Sequence, residues 1–159
     1  MNYFRGLYLK ICFVSFSGGH WEELLCLKKI STENNSFFVT EKGSQSDEFK
    51  NYNIYTLSQI NRREKGFIKK FFILFLEAKK ILNREKPDII ITTGVLISFP
   101  FCLIGKCQKA KIIYIESFAR VNKKSLTGRL VYQFADLFIV QWKPMLKYYP
   151  KAKYTGGIF

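Results

Sequence analysis

The stretch ICFVSFSGGH, residues 11–20, decides the fold. Its apolar run, Ile11–Phe16, stops at Ser17-Gly18-Gly19, which reads as a buried strand closed by a tight turn. Glycine permits the sharp turn and lets a ligand approach the backbone. Helical spacing follows at once over Trp21–Ile30. The same succession recurs in PDIIITTG, residues 87–94. Spacing predicts further strands at Ser36–Thr40, Asn53–Leu57, Lys111–Glu116 and Leu137–Gln141, besides Ile89–Thr93. Helices are expected at Phe67–Leu82, Val95–Lys106 and Ser125–Ala135, with one helical turn over Pro144–Tyr148. Pro100 fits the second of these only in its first turn or at a kink. Strands alternating with helices imply an α/β protein: a Rossmann-like parallel sheet with helices on both faces, here in one domain spanning 1–159.

Ligands of such sheets bind outside the carboxyl ends of the strands. That rule gathers four distant groups onto one rim: Gly18-Gly19-His20, Thr92-Thr93-Gly94, Glu116-Ser117 with Arg120, and Gln141-Trp142. The turn at Gly18 lacks the Gly-Lys-Ser/Thr ending of a nucleotide-phosphate loop and the third glycine of a dinucleotide fingerprint. Read alone, it serves equally as a turn. His20 is the single imidazole among 159 residues. Imidazole suits general-base work, and a helix N-terminus favours its neutral form. Glu116 ends an apolar strand, where its carboxylate would accept hydrogen bonds from sugar hydroxyls or pair with Arg120. Arg120, Lys123, Lys124 and Arg129 form a basic cluster suited to a diphosphate, and Asp136 is placed to orient the last strand.

Charge is divided unevenly. Residues 1–60 hold six basic and six acidic residues, whereas residues 61–159 hold 20 and six, so the whole net charge of +14 lies in the later part. This bias suits a membrane surface, a phosphate-bearing substrate or nucleic acid. No recognition helix or RNA-binding strand motif is evident, so a nucleic-acid-binding domain stays the remoter alternative and no nucleic-acid partner is expected. On Phe67–Leu82, Phe67, Phe71, Leu74, Phe75, Ala78 and Leu82 share the core face. Ile68, Phe72 and Leu76 form a second apolar arc beside Lys69, Lys79 and Lys80, preceded by Arg62, Arg63 and Lys65. Apolar side chains edged by lysines describe a helix lying in a headgroup layer. The membrane-contact residues expected are therefore Ile68, Lys69, Phe72, Leu76 and Lys79; a protein-facing arc is the competing reading. No apolar stretch is long enough to span a bilayer, and Met1–Lys10 has no signal-peptide pattern. Cys12, Cys26, Cys102 and Cys107 have neither zinc-site nor disulfide spacing, so no metal is expected and a cytoplasmic setting is the default.

FSGGHWEELLCL (16–27), PDIIITTGVLISFPFCLIGK (87–106), IIYIESFARV (112–121), ADLFIVQW (135–142) and YTGGIF (154–159) together resemble the PssD/CpsF-type proteins of bacterial capsule and exopolysaccharide loci. These are similar to the membrane-recruiting subunit of the eukaryotic enzyme that adds the second N-acetylglucosamine to dolichol-linked chitobiose. The layout is also similar to the N-terminal, acceptor half of a GT-B glycosyltransferase, the peptidoglycan lipid-linked N-acetylglucosaminyltransferase. The resemblance implies a two-chain glycosyltransferase in which this chain binds acceptor and membrane, while a separate donor-binding subunit holds the UDP-sugar. It implies an acceptor pocket built from Gly18, Gly19, His20, Gly94, Ser98, Pro100 and Glu116. With the rim positions added, His20 is the expected catalytic base, and Gly18, Gly19, Gly94, Ser98, Glu116, Ser117 and Arg120 are the expected substrate-binding residues. The expected acceptor is an undecaprenyl-diphosphate-linked saccharide at the cytoplasmic face of the plasma membrane, with peripheral attachment to an anionic surface. No cofactor is expected beyond the partner-held donor. The chain stops near where the interdomain linker of a one-chain enzyme would begin, so activity alone is expected to be absent or weak. A non-catalytic scaffold that recruits the partner is the alternative.

Overall fold

The computed structural model describes residues 9–15, 18–41, 52–58, 60 and 64–158. Seven parallel strands form one sheet: β1 (Lys10–Val14), β2 (Asn35–Glu41), β3 (Asn53–Leu57), β4 (Ile89–Thr92), β5 (Lys111–Ile115), β6 (Leu137–Val140) and β7 (Lys153–Tyr154). Their spatial order is β3-β2-β1-β4-β5-β6-β7. Every pairing is parallel. The order reverses between β1 and β4, and that junction is where a doubly wound sheet opens a crevice for ligand.

Helices cover both faces, which explains why the strands read as unbroken apolar runs. Cys12, Val14, Ile90 and Ile112 point to one face, against α3 (Phe67–Glu85), α4 (Ser98–Cys107) and α5 (Leu126–Val131). Ile11, Phe13, Phe38, Ile91 and Ile115 point to the other, against Trp21 and Leu24 of α1 (Gly19–Leu25). Cys12 and Cys102 are buried free thiols, while Cys26 and Cys107 are exposed. A 3₁₀ turn, Lys143–Lys147, precedes β7.

Several boundaries depart from the spacing. Trp21–Ile30 is not one helix: the Leu27 N–H bonds to the Leu24 carbonyl, a tightened three-residue step, and α2 (Lys28–Thr32) starts afresh. The helix expected from Val95 begins at Ser98, because residues 95–97 form a turn that the Ser98 hydroxyl closes on the Val95 carbonyl at 2.7 Å. Pro100 is thus the third helical residue, where its missing N–H breaks no helical bond. The helix expected over Ser125–Ala135 shrinks to α5, with Ser125 as its cap accepting from the Gly128 N–H. Strand β7 carries no apolar signal, as both its residues are exposed.

Asp136 does orient the start of β6. Its carboxylate accepts from the Ile112 N–H at 2.9 Å and from Lys106 and Lys111 at 2.8 and 3.3 Å. Burial pushes this carboxyl up, but the Lys106, Ile112 and Lys111 bonds outweigh it and hold it at about 2, against an ordinary 3.8. A depressed acid stabilises the fold above its ordinary value and loses that contribution as pH falls through the folded one. Acid titration of unfolding should therefore show the parent losing stability relative to Asp136→Asn between about pH 4 and pH 2.

Candidate functional site

A cavity of about 260 Å³ opens on the carboxyl rim, lined among others by His20, Gly94, Glu116, Ser117, Arg120 and Leu126. Five of the eight expected site residues therefore meet in it. Gly18, Gly19 and Ser98 do not line it. Gly18 has φ +78° and opens α1, Gly19 is the first residue of that helix, and Ser98 is fully buried beneath the 95–97 turn. Gly18 and Gly19 lie directly before His20, and the Ser98 hydroxyl closes the turn that follows Gly94. Ser17, like Arg62 and Arg63, lies outside the described residues.

Helix α1 places His20 on the β1 side of the crevice, and the loop after β4 supplies the opposite wall. There the Gly94 backbone has φ +83°, and a Cβ at this position would collide with the Tyr114 hydroxyl. Only glycine meets both demands. The His20 Nδ1 lies 3.0 Å from the Thr93 carbonyl oxygen, while the Thr93 hydroxyl donates to the His20 carbonyl at 2.9 Å.

Glu116 is only 1% exposed. Its Oε2 accepts from the Tyr149 hydroxyl at 2.7 Å and the Ser125 hydroxyl at 3.1 Å. The Ser125 oxygen in turn lies 3.2 Å from the Tyr114 hydroxyl and accepts from the Gly128 N–H at 2.8 Å. Burial first, then the hydrogen bond to Glu116 and its charge, push the Tyr149 phenol far up, so it remains a donor. Gly128 leaves room for this cluster, since a Cβ there would come within 2.7 Å of the Ser125 and Tyr149 oxygens. The alternative of pairing with Arg120 is not realised: among the described residues no ion pair joins Glu116 to Arg120. Oε2 thus holds the 125–128 turn at the cavity wall, Oε1 takes the Ser117 N–H at 3.3 Å, and Arg120 is exposed at the mouth.

A second buried carboxylate escaped the sequence reading. Glu23, one helical turn after His20, is 3% exposed. Its Oε1 accepts from the Ser117 hydroxyl and the Phe118 N–H, both at 3.0 Å, and its Oε2 from the Gln141 amide at 3.2 Å. Burial pushes Glu23 up, partly offset by the Phe118 N–H, Ser117, His20 and Gln141. Gln141 also donates to the Glu116 carbonyl and accepts from the Ile158 N–H, so one amide ties α1, the β5 loop, β6 and the chain's last residues. The three-residue spacing from His20 was the available signal for Glu23. Among the described residues no group of three or more His, Cys, Asp or Glu is arranged to hold a metal ion.

The family model described as "Oligosaccharide biosynthesis protein Alg14 like" matches residues 11–158. The chain belongs to that family. Among curated relatives, the mouse UDP-N-acetylglucosamine transferase subunit ALG14 is 27% identical over 182 residues, covering 94% of this chain and 83% of the relative. The subunits of the same name from Yarrowia lipolytica and Kluyveromyces lactis are 34% and 57% identical, over 90 and 79 residues. Those matches span 42% and 34% of the relatives' length, well under half. Among solved structures, MurG of Acinetobacter baumannii superposes with a TM-score of 0.71 at 14% identity, covering 86% of this chain and 42% of MurG. A UDP-N-acetylglucosamine 2-epimerase from Rickettsia bellii gives 0.72 at 14%, covering 95% and 45%. At such identities the likeness shows the fold alone: a Rossmann-like parallel sheet with helices on both faces, consistent with one half of a GT-B fold.

Proposed function

We propose that this chain is the acceptor-binding, membrane-recruiting subunit of a two-chain glycosyltransferase, which moves a sugar from a UDP-sugar to a lipid-diphosphate-linked saccharide. The observation that carries the reading is the rim cavity, where the single imidazole and an exposed arginine share one polar chamber. Its volume, about 260 Å³, is below the roughly 300–1,000 Å³ usual for drug-sized ligands, which suits a sugar unit better than a whole nucleotide sugar. His20 takes the proton of the attacking acceptor hydroxyl. Arg120, with Lys123, Lys124 and Arg129 following it, neutralises the lipid diphosphate. The UDP-sugar is held by the donor-binding subunit, which faces this rim and stabilises the leaving diphosphate. The saccharide acceptor is proposed to be undecaprenyl-diphosphate-linked, in capsule or exopolysaccharide synthesis at the cytoplasmic face of the plasma membrane. That finer assignment rests on the sequence resemblance, since the relatives compared above are eukaryotic subunits.

The reading also needs a membrane-facing surface. Ile68, Phe72 and Leu76 are 83, 64 and 54% exposed on α3, with Ile73 at 43%. The core side of the same helix is buried through Leu74, Ala78, Ile81 and Leu82. Lys69 and Lys79 lie exposed beside the apolar arc. No helix among the described residues is long and apolar enough to cross a membrane, so α3 is proposed to lie in the headgroup layer. Phe72→Glu combined with Leu76→Glu should abolish binding to vesicles containing anionic lipid while leaving the circular dichroism spectrum and unfolding midpoint in place. Unchanged vesicle binding would remove α3 from the membrane contact. The subunit assignment itself is tested by reconstitution: sugar transfer should need both this chain and the donor-binding subunit, and full turnover by the donor subunit alone would refute it.

A further inference from the structure

We propose that Thr93 is the positioning residue of the site, setting the tautomer of His20 so that Nε2 faces the cavity as a free proton acceptor. The inference rests on reading His20 as the base and adds the device that makes it one. A backbone carbonyl oxygen can only accept a hydrogen bond. The ring nitrogen 3.0 Å from the Thr93 carbonyl, Nδ1, must therefore carry the hydrogen. In the neutral ring this leaves the lone pair on Nε2. His20 lines the cavity, and among the described residues Nε2 makes no hydrogen bond.

The Thr93 side chain secures the arrangement from the other end. Its hydroxyl donates to the His20 carbonyl at 2.9 Å, which uses its one hydrogen. The Ser15 hydroxyl, 3.2 Å away, must then donate to the Thr93 oxygen. Ser15 follows β1, Thr93 follows β4 and His20 opens α1, so the clamp closes across the point where the strand order reverses. Thr93 is fully buried and does not line the cavity. It acts through His20: carbonyl to ring at one end, hydroxyl to backbone at the other. Without the hydroxyl bond, the first turn of α1 can pivot and the ring can release the carbonyl.

The single histidine makes the tautomer directly readable. Nitrogen-15 NMR of the full chain labelled at histidine, in the neutral-ring pH range, should show one imidazole with a pyrrole-type Nδ1 and a pyridine-type Nε2. A pyrrole-type Nε2 would overturn the proposal without any variant. Thr93→Val keeps the shape and removes the hydroxyl. It should shift the ring toward the Nε2–H form and lower kcat of the reconstituted pair by about tenfold or more, with the acceptor KM within about twofold. Thr93→Ser should restore both readouts, and it decides the matter if the valine variant does not fold. A tautomer unchanged in Thr93→Val, or unrestored in Thr93→Ser, contradicts the assignment. The NMR readout needs no partner, substrate or turnover, so it stands or falls separately from the role of His20 in catalysis.

Discussion

Glu116→Ala should lower the unfolding free energy by about 3 kcal/mol, read as a shift of the denaturant midpoint at constant slope. The carboxylate is buried and accepts from Tyr149 and Ser125, both of which lose their acceptor in the variant. Each orphaned buried donor costs about 1–3 kcal/mol, and the vacated side-chain volume adds a cavity cost. Glu116→Gln keeps the volume and one acceptor oxygen, so roughly half the loss is expected. The turn at 125–128 forms one cavity wall, so acceptor binding should weaken along with stability. A midpoint unmoved by Glu116→Ala would mean that the Tyr149–Glu116–Ser125 cluster does not organise this wall.

His20→Ala should act on a different quantity. Its loss removes the only imidazole at the rim, and a positioned general base is worth about 10²–10⁴ in rate. Turnover of the reconstituted pair should fall within that range, while complex formation, vesicle binding and the unfolding midpoint stay near those of the parent. The separation follows from burial: His20 is half-exposed and carries little of the core, whereas Glu116 is enclosed. Unchanged turnover with an intact complex would assign the chain a scaffolding role alone.

The strands were legible because both faces of this sheet are covered. Ile11–Val14, Ile89–Ile91 and Ile112–Ile115 could hardly be anything but buried strands, and the rim residues followed from their order. Helix α3 was legible in both its faces, since its apolar residues fall on two arcs of one long helix. The break between α1 and α2 was not, because a three-residue hydrogen bond at Leu27 leaves the apolar spacing intact. Strand β7 was hidden for the opposite reason: edge pairing to β6 is made by the backbone and asks nothing of Lys153 or Tyr154. The site was half legible. His20, Gly94, Glu116, Ser117 and Arg120 could be placed by strand order, but what holds them depends on partners far along the chain. Glu23 meets Ser117 across 94 residues, Glu116 meets Tyr149 across 33, and His20 meets Thr93 across 73. Local spacing carries no trace of such pairings. Strand order put Glu116 at the rim but gave no sign that Tyr149 and Ser125 hold its Oε2.

The proposed division of labour gives the acceptor to this chain and the donor to its partner. Equilibrium binding of each substrate to this chain alone, in vesicles containing anionic lipid, tests it most directly. A polyprenyl-diphosphate-linked saccharide should bind saturably, Arg120→Ala should weaken that binding, and UDP-N-acetylglucosamine should show no saturable binding. Saturable binding of the UDP-sugar, with none of the lipid-linked saccharide, would contradict it.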